Sequence, residues 1–275
     1  MTLSEEYEHL LDLFFQLVQS QAGKPIESGE EWKNDAQTLS IKLFRHLASM
    51  HRLSKGATIV PPGIPPVPYI DHSSIKVLAR AALETYLVFH YLFGSDDEEL
   101  CRFRHATWVL GGLFDRQDVH ISIEEHKENL QNEKRQIIKL QAQLSASPYL
   151  ATYTTKQQDK LFTGNWRIGK NWTDLGVSAD FNKKYFEDIY SYLCGYSHAS
   201  YISALQVGQA AAIEDQTKLT NSILGIGMVI MAHYVFAYSS TFHSAGAILK
   251  ENSNPKAIAE KWHFRSEDMR HIYER

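Results

Sequence analysis

Hydrophobic positions recur along the chain at intervals of three and four residues, which is the period of an amphipathic α-helix. The first such stretch, residues 4–21, carries apolar side chains along one side: Leu10, Leu11, Phe14, Phe15, Leu17 and Val18. Capping-box patterns, with serine or threonine three residues before glutamate, begin at Thr2, Ser28, Ser95 and Ser122. We find no alternating strand run with a two-residue hairpin turn. The sequence therefore predicts an all-α bundle of about seven to nine helices.

Two neighbouring stretches predict a helical hairpin. An apolar run over residues 73–93 ends at Gly94, and a new helical pattern begins near Asp96. A connection this short places two helices side by side in opposite directions. We therefore expect an antiparallel hairpin over residues 73–117.

Residues 122–145 predict a long charged helix with a narrow apolar seam. The seam repeats every seven residues, at Ile123, Leu130, Ile137 and Leu144. Such a helix either lies on the surface of the bundle or protrudes as an arm that pairs with a second copy. Both alternatives stay open, and the second predicts a homo-oligomer formed through residues 122–145.

Residues 56–70 are rich in proline, which forbids helix and favours a stiff, extended connection. We find no internal repeat and no low-complexity linker elsewhere in the chain. The sequence therefore predicts a single helical domain over residues 1–275.

The most apolar segment, residues 223–238, is shorter than the ~20 residues that span a bilayer. We therefore expect a buried central helix and no membrane span. The acidic N-terminus does not resemble a signal peptide. The two cysteines, Cys101 and Cys194, have no metal-site spacing and suit a reducing compartment, so we expect a cytoplasmic protein.

The net charge and the motifs of the chain argue against several classes of function. The net charge of −4 provides no overall basic field, so nucleic acid is not indicated as a partner. The Glu6-x-x-His9 pair lacks the second motif of a di-iron bundle, and Glu124, Glu125 and His126 do not complete it. We also find no phosphate-binding glycine loop, serine-hydrolase elbow or His-Glu-x-x-His pattern. We therefore expect no metal and no cofactor.

A pair of charged residues stands out on the predicted helix 73–93. Arg80 and Glu84 are four residues apart, so they share one face of an otherwise apolar helix. Charges in such surroundings need partners, because burying one alone costs several kcal/mol. The predicted hairpin places Arg104 and His105 level with Glu84. The resulting cluster is either a structural ion-pair network or a ligand site.

A second polar cluster covers residues 190–200 and contains three tyrosines, a thiol and a histidine. Tyr190 and His198 are its candidate binding residues, and His198 is also the candidate catalytic residue. A histidine at a helix end is either a structural hydrogen-bonding group or a proton donor and acceptor. Both interpretations stay open.

These residues together carry a resemblance to a known family. Arg80-x3-Glu84, a tryptophan-rich segment and Tyr190-x2-Leu193-Cys194-x3-His198 resemble a family of bacterial all-helical proteins described as a domain of unknown function. The resemblance covers about residues 73–206. Cys194 stands where the family usually has serine. The resemblance implies functional roles for Arg80, Glu84, Tyr190 and His198, but no reaction.

A looser resemblance is to the HEPN superfamily of helical ribonucleases and nucleotide-binding proteins. Its Arg-x(4–6)-His motif is matched by Arg45 and His51. Three functions therefore stay open, and no pattern establishes an enzyme. The first is binding of a small anionic ligand by a partly buried Arg/Glu/His site. The others are a non-catalytic interaction protein acting through residues 122–145 and a HEPN-like ribonuclease.

Overall fold

The chain folds mainly into α-helices that form two compact units. The computed structural model describes residues 1–120 and 124–273, with the side chains of 124–126 left aside. The larger unit contains Met1–His90 and Leu175–Arg275, and the smaller unit contains Tyr91–Asp174. The predicted all-α class is confirmed in its main feature. The described residues form thirteen α-helices and one two-stranded sheet.

The elements are, in chain order, α1 (Leu3–Gln19), α2 (Asn34–Ser54), β1 (Ala57–Ile59), β2 (Val67–Tyr69), α3 (His72–Phe93), α4 (Glu98–Gln117), α5 (Glu124–Ser145), α6 (Thr155–Phe162), α7 (Trp172–Ser178), α8 (Lys183–Ser197), α9 (Tyr201–Gln209), α10 (Ile213–Thr241), α11 (His243–Glu251), α12 (Ser253–Trp262) and α13 (Arg270–Tyr273). Short 3-10 turns lie at Glu31–Lys33, Pro148–Thr152 and Glu267–Met269.

The predicted count of seven to nine helices was too low. Six of the helices found here, α6, α7, α9, α11, α12 and α13, have ten residues or fewer. A helix of fewer than three turns shows too few repeats for its period to be recognised. The sequence pattern therefore resolved the long helices and merged or missed the short ones.

The proline-rich connection contains the two-stranded sheet, which the sequence did not predict. Strands β1 and β2 pair antiparallel, with Ala57 opposite Tyr69 and Ile59 opposite Val67. Pro68 lies within β2, and a sheet of two strands has only edges, where proline is tolerated. The connection is thus extended, as expected, but it also forms a short hairpin.

Helix α10 forms the core of the larger unit and packs against α1, α2, α11 and α12. The Tyr234 ring stacks on Phe14 with centroids 4.0 Å apart, and its hydroxyl donates to Ser40 Oγ over 2.6 Å. Helix α10 approaches α1 closely at Gly227, where a Cβ would lie 2.9 Å from the Tyr7 hydroxyl oxygen. A larger residue at Gly227 would force these helices apart.

Helix α10 is long and apolar enough to cross a membrane by length and composition alone. However, 67% of its most apolar window is buried inside the protein. Burial of this extent is typical of a core helix, and it fits the buried central helix expected for residues 223–238.

The smaller unit has its own core, in which α4 packs against α5 and α6. The buried members are Phe103, Ala106, Leu110, Ile137, Leu144, Leu161 and Ile168. Two seam residues of α5, Ile137 and Leu144, are thus covered within the chain, which favours the surface-helix alternative. Ser122 and Ile123 of the predicted helix lie outside the described residues. Pairing of two copies through this helix stays a prediction.

The chain reverses direction between the end of α3 and α4. Arg104 Nη1 donates a hydrogen bond of 3.0 Å to the Tyr91 carbonyl oxygen. The rings of Phe93 and His105 lie 6.2 Å apart. These contacts fit the predicted turn of the hairpin, whose full length spans both units.

Candidate functional site

Helix α3 carries a row of polar side chains on one face. His72, Lys76, Arg80 and Glu84 follow one another at intervals of four residues, and we call them the polar row. Residues four apart on a helix lie one above the other. Asp71 stabilises the start of the helix, because its carboxylate accepts the Ser74 backbone N–H over 2.9 Å.

Helix α8 carries a second row of polar side chains, and this row faces the polar row of α3. Its N-terminus is capped by Asn182, whose side-chain oxygen accepts the backbone N–H groups of Lys184 and Tyr185. Tyr190, Cys194 and His198 then recur every four residues and share one face. His198 is the C-cap, and the next residue, Ala199, adopts the left-handed backbone conformation with φ of 50°. This turn leads the chain into α9.

Four of the residues singled out in the sequence meet between α3 and α8. Arg80 Nε donates to Glu84 Oε1 over 3.0 Å, and the Tyr190 hydroxyl donates to the same oxygen over 2.8 Å. Arg80 Nη1 lies 3.3 Å from His198 Nε2. A guanidinium can only donate, so the imidazole nitrogen is the acceptor in this contact.

This cluster is charged and reached by water. The Arg80 and Glu84 side chains keep 22% and 26% of their surface exposed, and His198 is exposed. Burial alone would lower the pKa of Arg80, but its hydrogen bonds with Tyr190 and Glu84 raise it. Burial and the neighbouring Glu84 carboxylate raise the pKa of the Tyr190 hydroxyl. At neutral pH, Arg80 is therefore a cation and Tyr190 keeps its proton.

The aromatic ring of Tyr190 also supports the cluster. It stacks on Phe186 with centroids 5.5 Å apart, and the Arg80 guanidinium carbon lies 5.6 Å from its centroid. Phe186 in turn packs closely on Gly176, where a Cβ would lie 2.6 Å from its ring. Packing of this kind holds Tyr190, and through its hydroxyl Glu84, in one position.

The other half of the polar row forms a second group, which sequence reasoning missed. Lys76 has no exposed surface, and its Nζ lies 3.3 Å from His72 Nδ1. The same Nζ lies 3.7 Å from the ring centroid of Tyr196 and 5.2 Å from that of Tyr192. Both tyrosine hydroxyls donate to the side-chain oxygen of Gln206.

The signal for this group was present in the sequence. Lys76 precedes Arg80 by four residues, and His72 precedes Lys76 by four. Lysine is almost never fully buried, so the sequence alone gives no reason to place Lys76 inside the fold.

A family model matches residues 70–212, and its description is a family of unknown function, DUF5677. The match covers more than half of the 275 residues. The chain belongs to this family. The predicted membership of a family described as a domain of unknown function is thereby confirmed.

The DUF5677 match contains the whole polar row, the facing residues of α8 and Gln206. No curated protein and no solved structure matches the chain. The functional assignment of these residues therefore rests on their geometry.

Arg104 and His105 lie in the smaller unit. The Arg104 guanidinium carbon lies 4.7 Å from the Tyr91 ring centroid, in addition to its hydrogen bond with the Tyr91 carbonyl. His105 is buried, with its ring 5.9 Å from that of Trp108. A position of Arg104 and His105 beside Glu84 would be a contact between the smaller and the larger unit, and it stays a prediction.

The residues of the looser HEPN resemblance lie on different faces of α2. Arg45 is exposed, whereas His51 is half-buried and its ring stacks on Tyr7. Six residues turn a helix by about 600°, so the two side chains point about 120° apart. The structure thus gives Arg45 and His51 no shared site within the chain.

The Glu6 carboxylate of the Glu6-x-x-His9 pair already accepts hydrogen bonds from other residues of the chain. It accepts hydrogen bonds from Lys261 Nζ over 2.7 Å and from Trp262 Nε1 over 2.8 Å. Among the residues whose positions are described, no three His, Cys, Asp or Glu side chains come together as a metal site.

Proposed function

We propose that this DUF5677 protein binds a small anionic molecule at Arg80, between α3 and α8. The supporting observation is the way in which Arg80 is held. Glu84 and Tyr190 hold one side of it by hydrogen bonds, while Nη1 makes a 3.3 Å contact with an exposed histidine. A guanidinium fixed at one edge presents its other N–H groups as a rigid fork, which matches the geometry of carboxylate and phosphate.

The charge balance of the site also favours an anion. The polar row contains two basic side chains, Lys76 and Arg80, and one acidic side chain, Glu84. Glu84 is occupied twice, by Arg80 and by Tyr190. The row therefore keeps a net positive charge whenever Lys76 is protonated, and partial burial strengthens its attraction for an anion.

His198 gives the proposed site a group that can exchange a proton with the bound anion, in addition to the anchoring by Arg80. Its Nε2 accepts from Arg80, and an anion that takes over this N–H would leave Nε2 free to accept a proton from a bound hydroxyl or acid group. We also propose that the protein works in the cytoplasm, since Cys101 and Cys194 are both free thiols and suit a reducing compartment.

The Arg80→Gln variant tests this function. It keeps a polar side chain but removes the charge and the fork, so we expect affinity for phosphate or oxalate to fall at least about tenfold. Isothermal titration of both anions against the wild type and the variant measures the change. Thermal unfolding of the variant shows whether it remains folded.

The chain offers a matched control in Arg102, which also pairs with a glutamate four residues away, Glu98. The Arg102→Gln variant should bind both anions like the wild type. Equal losses in the two variants, or no saturable binding by the wild type, would contradict the proposed function.

A further inference from the structure

A partly enclosed cleft lies between α1 and α2 of the larger unit, and we call it the α1–α2 cleft. Its volume is about 350 Å³. Ligand pockets usually have volumes of about 300–1,000 Å³, and a dry apolar cavity of about 150 Å³ is large enough to take up benzene. The α1–α2 cleft therefore has room for a molecule of about two rings.

The walls of the α1–α2 cleft are mainly apolar. Six of its nine described lining residues are Phe14, Phe15, Val18, Ala22, Ile41 and Phe44. The other three are the amide side chains Gln19, Gln21 and Gln37, and none of the nine carries a charge. By contrast, an open cavity of about 370 Å³ at the end of α9 is lined in part by Asp215 and Lys218. An ion in the cleft would lose its hydration without gaining a partner, so the cleft favours an uncharged molecule.

Packing holds the aromatic walls of the cleft in place. Phe14 is fully buried, with its ring stacked on Tyr234 and 5.7 Å from the Phe44 ring, which it meets edge-on. The Phe15 ring lies 5.9 Å from the Phe44 ring and keeps 53% of its surface exposed. An aromatic ligand would cover Phe15 and contact all three phenylalanine rings. Aromatic pairs are more favourable than their buried area alone accounts for, so the cleft favours rings over aliphatic chains.

Gln37 gives this cleft a hydrogen-bonding group. Its side-chain oxygen accepts from the Tyr238 hydroxyl over 2.8 Å, which holds the amide in place. The nitrogen of the same amide makes no hydrogen bond with any residue that the structure describes, and an amide nitrogen has two N–H groups to donate. A hydroxyl or carbonyl oxygen of a ligand would satisfy this donor.

We propose that the α1–α2 cleft binds an uncharged aromatic molecule of about two rings that carries one hydroxyl or carbonyl group. The rings lie against Phe14, Phe15 and Phe44, and the oxygen accepts from Gln37. This site is independent of the anion site proposed at Arg80. The two share no residue, and the α1–α2 cleft lies outside the family match at residues 70–212.

Isothermal titration of the full-length chain with three naphthalene compounds tests the proposal. We expect saturable binding of 1-naphthol at one site per chain. Naphthalene lacks the oxygen, so it should bind about three- to tenfold more weakly. The cation 1-naphthylmethylammonium has the same rings and should bind at least about tenfold more weakly, because its charge has no partner in the cleft. The net charge of −4 attracts this cation, so weaker binding has to arise at the site itself.

The Ile41→Trp variant fills the cleft. Ile41 lines it and is 44% exposed, so a larger side chain can enter without displacing the core. We expect the affinity for 1-naphthol to fall at least about tenfold, with a melting temperature no lower than that of the wild type. Leu53→Trp is the matched control, since Leu53 is 37% exposed and lies about 18 Å further along α2. It should bind 1-naphthol like the wild type.

The Gln37→Leu variant tests the hydrogen bond. It should bind 1-naphthol and naphthalene equally, because the donor for the ligand oxygen is gone. Any rearrangement after loss of the Tyr238 contact affects both ligands alike, so the ratio of the two affinities reports on the hydrogen bond alone. A preference for 1-naphthol that persists in Gln37→Leu would contradict the role of Gln37.

The outcomes separate this inference from the proposed function. Saturable binding of 1-naphthol that is lost in Ile41→Trp and kept in Leu53→Trp supports the cleft as a ligand site. No saturable binding, or equal binding by Ile41→Trp and the wild type, would overturn it. A dimeric wild type that becomes monomeric in Ile41→Trp would also overturn it, since a second copy would then cover the cleft. Ile41→Trp should bind oxalate like the wild type, so failure at Arg80 and failure at the cleft are distinguishable.

Discussion

Replacing Lys76 with methionine is expected to stabilise the folded chain by about 2 kcal/mol at pH 7. The pKa of this buried lysine falls from 10.5 to about 8. Each pKa unit corresponds to about 1.4 kcal/mol, so the charged form costs ~3 kcal/mol in the fold. Methionine removes that cost, fills a similar volume, and loses ~1 kcal/mol of contacts with His72 and Tyr196.

The stability difference between Lys76→Met and the wild type is expected to depend on pH. Between pH 8 and 10.5 the unfolded wild type binds more protons at Lys76 than the folded chain does, so its free energy of unfolding rises with pH. The advantage of the methionine variant is therefore constant below about pH 8 and disappears by about pH 10.5. Chemical denaturation of both proteins at several pH values measures the difference.

The exposed Lys218 provides the control, since Lys218→Met should change stability by less than about 0.5 kcal/mol. A Lys76→Met variant that is clearly destabilised at pH 7 would show that the charged lysine is well accommodated. The account of a strained, partly neutral amine would then be wrong.

Acid is expected to destabilise the larger unit through His233, by as much as ~4 kcal/mol between pH 6.5 and 3. Burial, and then the nearby His263, lower the pKa of His233 to about 3. Its ring stacks on Phe181 with centroids 4.1 Å apart, and Nε2 lies 3.1 Å from the Phe264 carbonyl oxygen. The fold therefore holds the imidazole in its neutral form.

The direction of this pH effect follows from proton binding to His233 in the folded and the unfolded chain. Below about pH 6.5 the unfolded chain takes up a proton at His233 that the folded chain refuses until about pH 3, so stability is lost as the pH falls. His233→Gln keeps a hydrogen-bond donor but cannot titrate. This variant should be less stable at pH 7, and its stability should depend less on pH below 6.5.

Comparison with the wild type isolates His233, because burial also lowers the pKa of other histidines, such as His263. The exposed His243, replaced by glutamine, should leave the pH dependence as in the wild type. Parallel curves for wild type and His233→Gln below pH 6.5 would refute the assignment.

Helical periodicity predicted the class of the fold and its long helices. Helices α3 and α10 have strong apolar patterns, and both lie close to where the sequence placed them. The hairpin of β1 and β2 was missed because its strands have only three residues each, too few to show alternation. It depends on the pairing of Ala57 with Tyr69, which only the folded chain reveals.

The candidate site was likewise only partly predictable from the sequence. Arg80 and Glu84 could be paired from their spacing, since helix geometry alone brings such residues together. The contact of His198 with Arg80 joins residues 118 positions apart, and only the family resemblance suggested it. The burial of Lys76 depends on how α8 covers α3, which no local pattern contains.

The central claim is that Arg80 binds an anion, and a titration followed by nuclear magnetic resonance tests it most directly. In protein labelled with ¹⁵N-arginine, the Nε–Hε signal of Arg80 is assigned by its loss in Arg80→Gln and followed as oxalate or phosphate is added. The account predicts a saturable shift of this signal while that of Arg102 stays in place. Saturable shifts confined to other arginines, or no saturable shift at all, would contradict it.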